Sequence, residues 1–238
     1  MTSKPFNAAP LYVQLRTDLT RRIARGDWKR GENIPNELDL AREYGLSPGT
    51  VRKALDWLED AHLIIRQQGR GTFVATTSTE DLNRRFDRLR VGRGESLRIE
   101  AEVLQGASGT ATPVEAQRLD IAKEAPVFRL SRLCRTRGKP LMVENLTVSL
   151  EMFPSLANPG TVYDLAALSQ SDGVLLGEGG ESLTLVPADV AIAAHLGLEP
   201  GMRVLLLDRI ISTIEGQPAE WRQCWCNLEG YRYQVELH

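Results

Sequence analysis

Residues 35–74 read PNELDLAREYGLSPGTVRKALDWLEDAHLIIRQQGRGTFV, and their spacing predicts two short helices followed by a β-hairpin. Asn36 can cap the free N–H groups of the first helix, with Asp39 at the reciprocal position three residues on. Leu38 or Leu40, Ala41 and Tyr44 supply its apolar face, and Gly45 ends it. Ser47 caps the second helix, and Pro48 takes its first position, where a missing N–H costs nothing. Val51, Ala54, Leu55 and Leu58 recur at helical spacing and form its buried stripe. After Leu63-Ile64-Ile65, the run Gln68-Gly69-Arg70-Gly71-Thr72 turns the chain back into Phe73-Val74. Glycine on both sides of Arg70 permits the tight turn of a hairpin.

Upstream, Pro10 opens a longer helix whose Leu11, Leu15, Leu19 and Ile23 recur every four residues, and Gly26 stops it. Two short helices joined by a turn of three to four residues containing glycine form a helix-turn-helix pattern. The N-terminal part of its second helix is the part that enters a major groove. Here that part presents Ser47, Gly49, Thr50, Arg52 and Lys53. A guanidinium can fork onto guanine, and free N–H groups at the helix start can accept a phosphate oxygen. A basic hairpin after such a motif reads as a wing aimed at the minor groove or the backbone.

The 238-residue chain has ordinary globular composition, with 42% hydrophobic and 25% charged residues. Its net charge of −2 conceals an asymmetry. Residues 1–75 carry 12 Lys+Arg and 9 Asp+Glu, whereas residues 99–238 carry 11 and 18. A basic front on an acidic body fits a front that meets phosphate. No apolar run approaches the roughly 18 residues needed to span a bilayer. Met1 to Pro10 lacks the apolar core of a secretory signal. Three cysteines argue against a disulfide framework. Together these place the expectation in a reducing cytoplasm.

Four ordered blocks carry a resemblance: Pro10 to Leu15, Gly31 to Glu37, Thr50 to Leu55, and Gln68 to Val74. Together they resemble the DNA-binding domain of GntR-family regulators. The resemblance implies a homodimer on a short palindromic operator of double-stranded DNA. It also puts Glu37, Thr50, Arg52 and the wing Gln68, Gly69, Arg70, Gly71 and Thr72 at the DNA. Two positions depart from the pattern: Pro48 and Leu38 stand where many or some members have arginine. That puts the usual operator sequence in doubt.

Beyond residue 98 an internal repeat is visible. Leu119 and Leu196, and Arg132 and Arg209, are each 77 residues apart; Gly138 and Gly216, and Pro140 and Pro218, are each 78 apart. Each copy reads as helix, strand, tight turn, strand, which suggests a pseudo-symmetric α+β domain around an antiparallel sheet. This half resembles the UTRA ligand-sensing domain of the HutC subfamily, with its chorismate-lyase-like fold. The expected architecture is α+β: a winged helix-turn-helix over 1–75, a linker over 76–83, and a UTRA effector-binding and dimerisation domain over 84–238.

The resemblance points Arg132 toward a small-molecule effector, where a guanidinium could hold an anionic group. The same residue reads equally as a satisfied ion pair. Cys134 stands where sugar-phosphate sensors of the subfamily carry a second arginine, which weakens that effector class. Glu144 reads as a ligand neighbour or as a cross-strand ion pair. Glu181, Tyr231 and Tyr233 are further pocket candidates, Tyr233 reading more readily as core. Gly177-Glu178-Gly179-Gly180 has the flexibility of a pocket-edge loop and lacks the Lys-Ser/Thr of a phosphate-binding loop. Cys224 and Cys226 share a strand face and read as small buried hydrophobes sooner than as a redox or metal switch. His62, His195 and His238 form no metal triad and no nucleophile–base set, so no cofactor, metal or catalytic residue is expected. The expectation is a DNA-binding regulator, as repressor, with its operator grip altered through residues 76–98 when effector binds. An enzyme of lyase-like fold and a DNA-binding protein whose second half only dimerises are the alternatives.

Overall fold

Pro10 precedes α1 (Leu11–Arg25), which ends where Gly26 adopts φ 77°, a left-handed cap. Arg22 and Arg25 lie in its last turn, where the helix dipole favours cations. Leu15 and Leu19 carry its stripe into the core, while Leu11 is 57% exposed. The computed structural model describes residues 9–75, 89–91, 95–158 and 160–235. The expected linker 76–83, most of the basic stretch after it, and His238 lie outside the described residues. The chain separates into two units, Met1–Ser78 and Thr79–His238.

In the first unit, β1 (Asn33–Ile34) leads into α2 (Glu37–Tyr44) and α3 (Pro48–Asp60), then β2 (Ile64–Gln67) and β3 (Gly71–Val74). Asn36 Oδ1 accepts from the N–H groups of Leu38 and Asp39, as its position predicts. The reciprocal contact differs from a capping box: Asn36 Nδ2 donates to the Asp39 carboxylate, side chain to side chain. Leu40 and Ala41, with Leu38 exposed, settle which face of α2 is buried. Ser47 Oγ accepts from Thr50 N–H, and Val51, Ala54, Leu55 and Leu58 are buried together. The three-stranded sheet runs β1-β3-β2. Strand β1 has only two residues, too short for a periodic signal in sequence.

The second unit contains β4 (Leu89–Val91), β5 (Glu95–Ser96), β6 (Glu100–Thr110), α4 (Pro113–Leu119), β7 (Pro126–Thr136) and β8 (Lys139–Ser149). There follow α5 (Leu165–Ser171), β9 (Leu176–Pro187), α6 (Val190–Leu196), β10 (Arg203–Thr213), β11 (Pro218–Cys226) and β12 (Tyr231–Tyr233). One six-stranded antiparallel sheet has the order β6-β7-β8-β11-β10-β9, and β12-β4-β5 make a small second sheet. The repeat is therefore strand, helix, strand, turn, strand: each copy also owns the outer strand, β6 or β9.

The two copies meet where β8 pairs with β11, and Asn145 lies opposite Gln223. These residues are 78 apart, the offset of the repeat at this point, so the pair maps onto itself and marks the pseudo-two-fold axis. Helices α4 and α6 cover one face, burying Leu119 with Val127 and Ile192 with Leu133 and Val143. The other face is covered at one end by Phe153, Tyr163 and Leu165, and at the other by Leu89 with partly buried Tyr231 and Tyr233.

Local chemistry explains α4. Thr112 Oγ1 accepts from Glu115 N–H, and Glu115 Oε2 accepts from Thr112 N–H at 2.7 Å, a reciprocal capping box. Arg129 on β7 forks onto the same carboxylate and, with the Thr112 bonds, holds Glu115 at about 2 against the opposing effect of burial. Replacing Thr112 by Ala removes one half of the box and costs about 1 kcal/mol. That is read as a lower urea midpoint at unchanged slope; an unmoved midpoint would mean that Arg129 alone fixes the helix start.

Candidate functional site

The tip of α3 is exposed and basic. Ser47 Oγ and Thr50 Oγ1 lie 2.9 Å apart, so the cap also fixes the Thr50 hydroxyl. Gly49 is exposed, and a Cβ there would meet nothing within 4 Å. Arg52 and Lys53 are exposed beside it. The Arg52 side chain is 63% exposed yet oriented: Nε and Nη2 bond Glu37 Oε2 at 3.1 and 2.9 Å. Glu37 also lies 3.7 Å from Arg66, which bonds Asp56 at 2.6 Å and Glu59 at 2.8 Å. Thus one carboxylate at the start of α2 ties α3 to β2.

The hairpin closes with Arg70 N–H donating to Gln67 C=O at 2.9 Å. Gln68, Gly69 and Arg70 are exposed, and Thr72 is half-buried. The two wing glycines have different reasons. Gly69 adopts φ 73° in open space. Gly71 combines φ 116° with an internal approach: a Cβ there would stand 2.8 Å from Asn33 Oδ1 on β1. The space that Gly71 leaves is thus filled from within, by the Asn33 side chain.

In the second unit, the face of the sheet away from α4 and α6 holds a cavity of about 260 Å³. Arg132, Glu144, Arg209, Arg222, Tyr163 and Asp164 line it, together with Ile99, Met142, Leu165 and Leu207. The strand registry explains the convergence. Arg132 sits opposite Glu144, and Arg209 opposite Arg222, at equivalent places in the two repeats. Glu144 and Arg222 are themselves 78 apart and flank the Asn145–Gln223 pair on the cavity side.

A chain of ion pairs runs from Arg132 to Glu220, with a separate pair, Arg209 and Glu181, beside it. Arg132 donates through Nε and Nη2 to Glu144 Oε2 at 3.0 and 2.5 Å. Arg222 donates through Nη1 to Glu144 Oε1 at 3.1 Å, and through Nε and Nη2 to the two Glu220 oxygens at 2.9 and 2.7 Å. The Tyr163 hydroxyl donates to Glu220, and burial beside that carboxylate keeps it a phenol. Arg209 Nε bonds Glu181 Oε1 at 2.6 Å, and Tyr233 donates to the other Glu181 oxygen. Burial opposes ionisation of Glu144, but Arg222 and Arg132 outweigh it and hold the carboxyl at about 2.

Arg132 and Glu144 are thus a cross-strand ion pair, and both line the cavity. Glu181 and Tyr233 reach it through Arg209, while Tyr231 packs in the neighbouring apolar cluster. Arg209, Arg222, Glu220 and Tyr163 complete the site; the repeat flagged Arg209 as Arg132's equivalent, but no short motif marked the others. The expectation of a loop over Gly177 to Gly180 is corrected. These residues lie inside β9, where Gly179 and Gly180 pair with Ile211 and Ile210. Glycine at 177 is required because a Cβ would stand 2.6 Å from Thr213 C=O. Cys134, Cys224 and Cys226 are free and buried, and desolvation pushes all three thiols upward, away from thiolate chemistry.

A second hollow of about 430 Å³ lies on the helix-covered face, between Gln105, Ser131, Asn145, Thr147, Trp221 and Gln223. Its charged groups, Glu115 and Arg129, are accounted for by the start of α4. Among the described residues, no cluster of three His, Cys, Asp or Glu could hold a metal ion. No described helix is long and apolar enough to cross a membrane.

Residues 94–232 match the UTRA domain, and residues 11–74 match the bacterial regulatory proteins of the gntR family. The chain belongs to the UTRA-domain regulators of the GntR family. It is 30% identical over 222 residues, 89% of each chain, to an uncharacterized HTH-type transcriptional regulator, YurK, of Bacillus subtilis (strain 168). It is 31% identical over 147 residues, 60% of this chain and 59% of the relative, to a "Probable fructoselysine utilization operon transcriptional repressor" of Shigella flexneri. Among solved structures, "possible transcriptional regulator YydK" of Bacillus subtilis superposes with a TM-score of 0.57 at 19% identity. That match covers 97% of this chain and 100% of the other, and it supports the two-part fold. As a GntR–UTRA regulator, the protein couples a DNA-binding domain to an effector-binding domain, and the relatives named are regulators of transcription.

The ion-pair chain has a pH signature. Glu144 is held below its ordinary 4.5, so its contribution is complete above pH 4.5 and is lost as pH falls toward about 2. Arg222→Met should lower stability at neutral pH by about 3–5 kcal/mol, because it leaves buried carboxylates undercompensated. The deficit should shrink in acid, where Glu144 takes up its proton. Urea unfolding of both proteins at pH 7 and pH 3.5 measures it; a pH-independent deficit would mean that lost packing, not charge, is the cause.

Proposed function

We propose that this protein is a homodimeric transcription repressor whose grip on a palindromic operator is altered by a small molecule bound in the cavity beside Arg132 and Glu144. It works in the cytoplasm and performs no turnover. The observation that carries the reading is the exposed α3 tip with Arg52 already oriented by Glu37, in the same chain as a charged cavity. The repressor sign is supported by the name of the fructoselysine relative.

At the DNA, Arg52 reads a guanine, with Glu37 fixing the guanidinium plane rather than touching phosphate, which its own charge would repel. Ser47, Gly49 and Thr50 present helix N–H groups and a hydroxyl to the backbone. Lys53 adds phosphate contact from the same surface. Gln68, Gly69, Arg70, Gly71 and Thr72 form the wing. In the second unit Arg132, Glu144, Arg209 and Arg222 meet the effector directly, and Glu181, Tyr231 and Tyr233 hold the wall behind Arg209. The effector acts by preferring one of two dimer geometries, since a ligand with equal affinity for both would shift nothing. The expected relay through residues 76–98 falls largely outside the described residues.

Fluorescence anisotropy on DNA from the protein's own gene neighbourhood, with and without a metabolite panel, tests the whole reading. A cognate effector should change operator affinity by about 5–150-fold, the usual range of coupling; a saturating bound ligand that leaves affinity unchanged would refute the gating. Arg52→Ala should cost about 1–3 kcal/mol and relax preference at one base pair. Arg70→Ala should weaken all sequences alike and flatten the salt dependence. Unaltered binding by both variants would mean that the DNA face lies elsewhere.

A further inference from the structure

The cavity wall is charge-balanced from within, and that restricts what it can take. Arg132, Arg209 and Arg222 bring three guanidiniums to the cavity. Glu144, Glu220 and Glu181 answer them one for one, each bonded to at least one of the arginines. Asp164, which caps α5 through Ala167 N–H, lines the same cavity and adds a fourth carboxylate. Taken by themselves, the three arginines and their three glutamates carry no net charge. Position 134, two residues beyond Arg132 on the same strand face, is a buried thiol that contributes no charge.

The carboxylates are also placed to keep their partners. Side-chain exposure is 3% for Glu144 and 0% for Glu220, against 15% and 16% for Arg132 and Arg222. The acids lie behind and the guanidiniums in front, so a ligand meets N–H groups whose charge is already cancelled. Arg222 commits all three of its nitrogens to Glu144 and Glu220. Arg132 commits Nε and Nη2. Arg209 commits Nε to Glu181. A dianion entering this site would face the carboxylates with no uncompensated cation among the described residues to offset its desolvation. An uncharged ligand carrying hydroxyl, ether or carbonyl oxygens would accept from the remaining N–H groups without disturbing the pairs. Ile99, Met142, Leu165 and Leu207 offer apolar surface to its C–H faces.

We infer that the effector of this protein is an uncharged, oxygen-rich compound, such as a free sugar, polyol or lactone, and not a phosphate ester or polycarboxylate. The inference rests on the effector-gated reading above and specifies the ligand of that same cavity. It also revises the expectation that Arg132 holds an anionic group.

The test uses inorganic phosphate as the probe, titrated calorimetrically at constant ionic strength into the full chain, Glu144→Gln and Glu181→Gln. The native chain should give no saturable binding at millimolar phosphate. Removing a compensating carboxylate should create it, with affinity at least about tenfold above the native limit, equivalent to about 1.4 kcal/mol. Glu181 is the safer variant, because it lies on the outer strand and is bonded by only one of the three arginines. Saturable phosphate binding by the native chain that Arg132→Met abolishes would overturn the inference. So would folded variants of both glutamates that gain nothing, or a sugar 6-phosphate that binds the native chain more tightly than its parent sugar. Those outcomes concern only the ligand's charge. Failure of the gating itself is read separately, as operator affinity that ignores a saturating ligand.

Discussion

A buried carboxylate shared by two arginines governs the second unit. Glu144 is 3% exposed and bonds both Arg132 and Arg222, so three central strands, β7, β8 and β11, are tied through one side chain. An isolated charge at that depth would be expensive or would neutralise itself. Its two partners prevent this, and the remaining nitrogens of Arg222 bond Glu220, which in turn accepts from Tyr163. The cavity exists because the chain of pairs holds polar groups at the middle of a face whose two ends are packed with apolar side chains. The groups that form the cavity wall are therefore also the groups that tie the strands to one another.

The first unit uses a smaller version of the same device. Glu37 accepts from Arg52 and lies near Arg66, joining the exposed helix tip to the root of the wing. An exposed pair of this kind adds little to folding. Its effect is on orientation, because a guanidinium already held in one plane loses less freedom when it meets a base edge.

Much of this was legible in the sequence where the signal is local. Asn36, Ser47, Pro48 and Gly45 mark helix ends by their own backbone chemistry, and the stripe Val51, Ala54, Leu55 and Leu58 gives the buried face of α3. The 77- and 78-residue offsets exposed the repeat, and Arg132 and Glu144 stood out within it. What stayed hidden depends on pairing across long separations. Strand β1 is two residues long and exists only by its ladder with β3. The glycines of β9 weaken any local preference, and only pairing with β10 makes them a strand. Arg222 and Glu220 are two charges on an unremarkable strand until β8 places Glu144 beside them.

The Asn145–Gln223 pair also says something about ancestry. Two identical copies of the half-unit, joined as β8 and β11 are joined, would carry the same side chain at positions 144 and 222. Whatever charge one bore, the other would repeat it across the axis. The attraction between Glu144 and Arg222 could arise only after the copies had ceased to be interchangeable. If the halves descend from a duplication, this pair of unlike charges could form only once the two copies differed in sequence, since identical halves could never have built it.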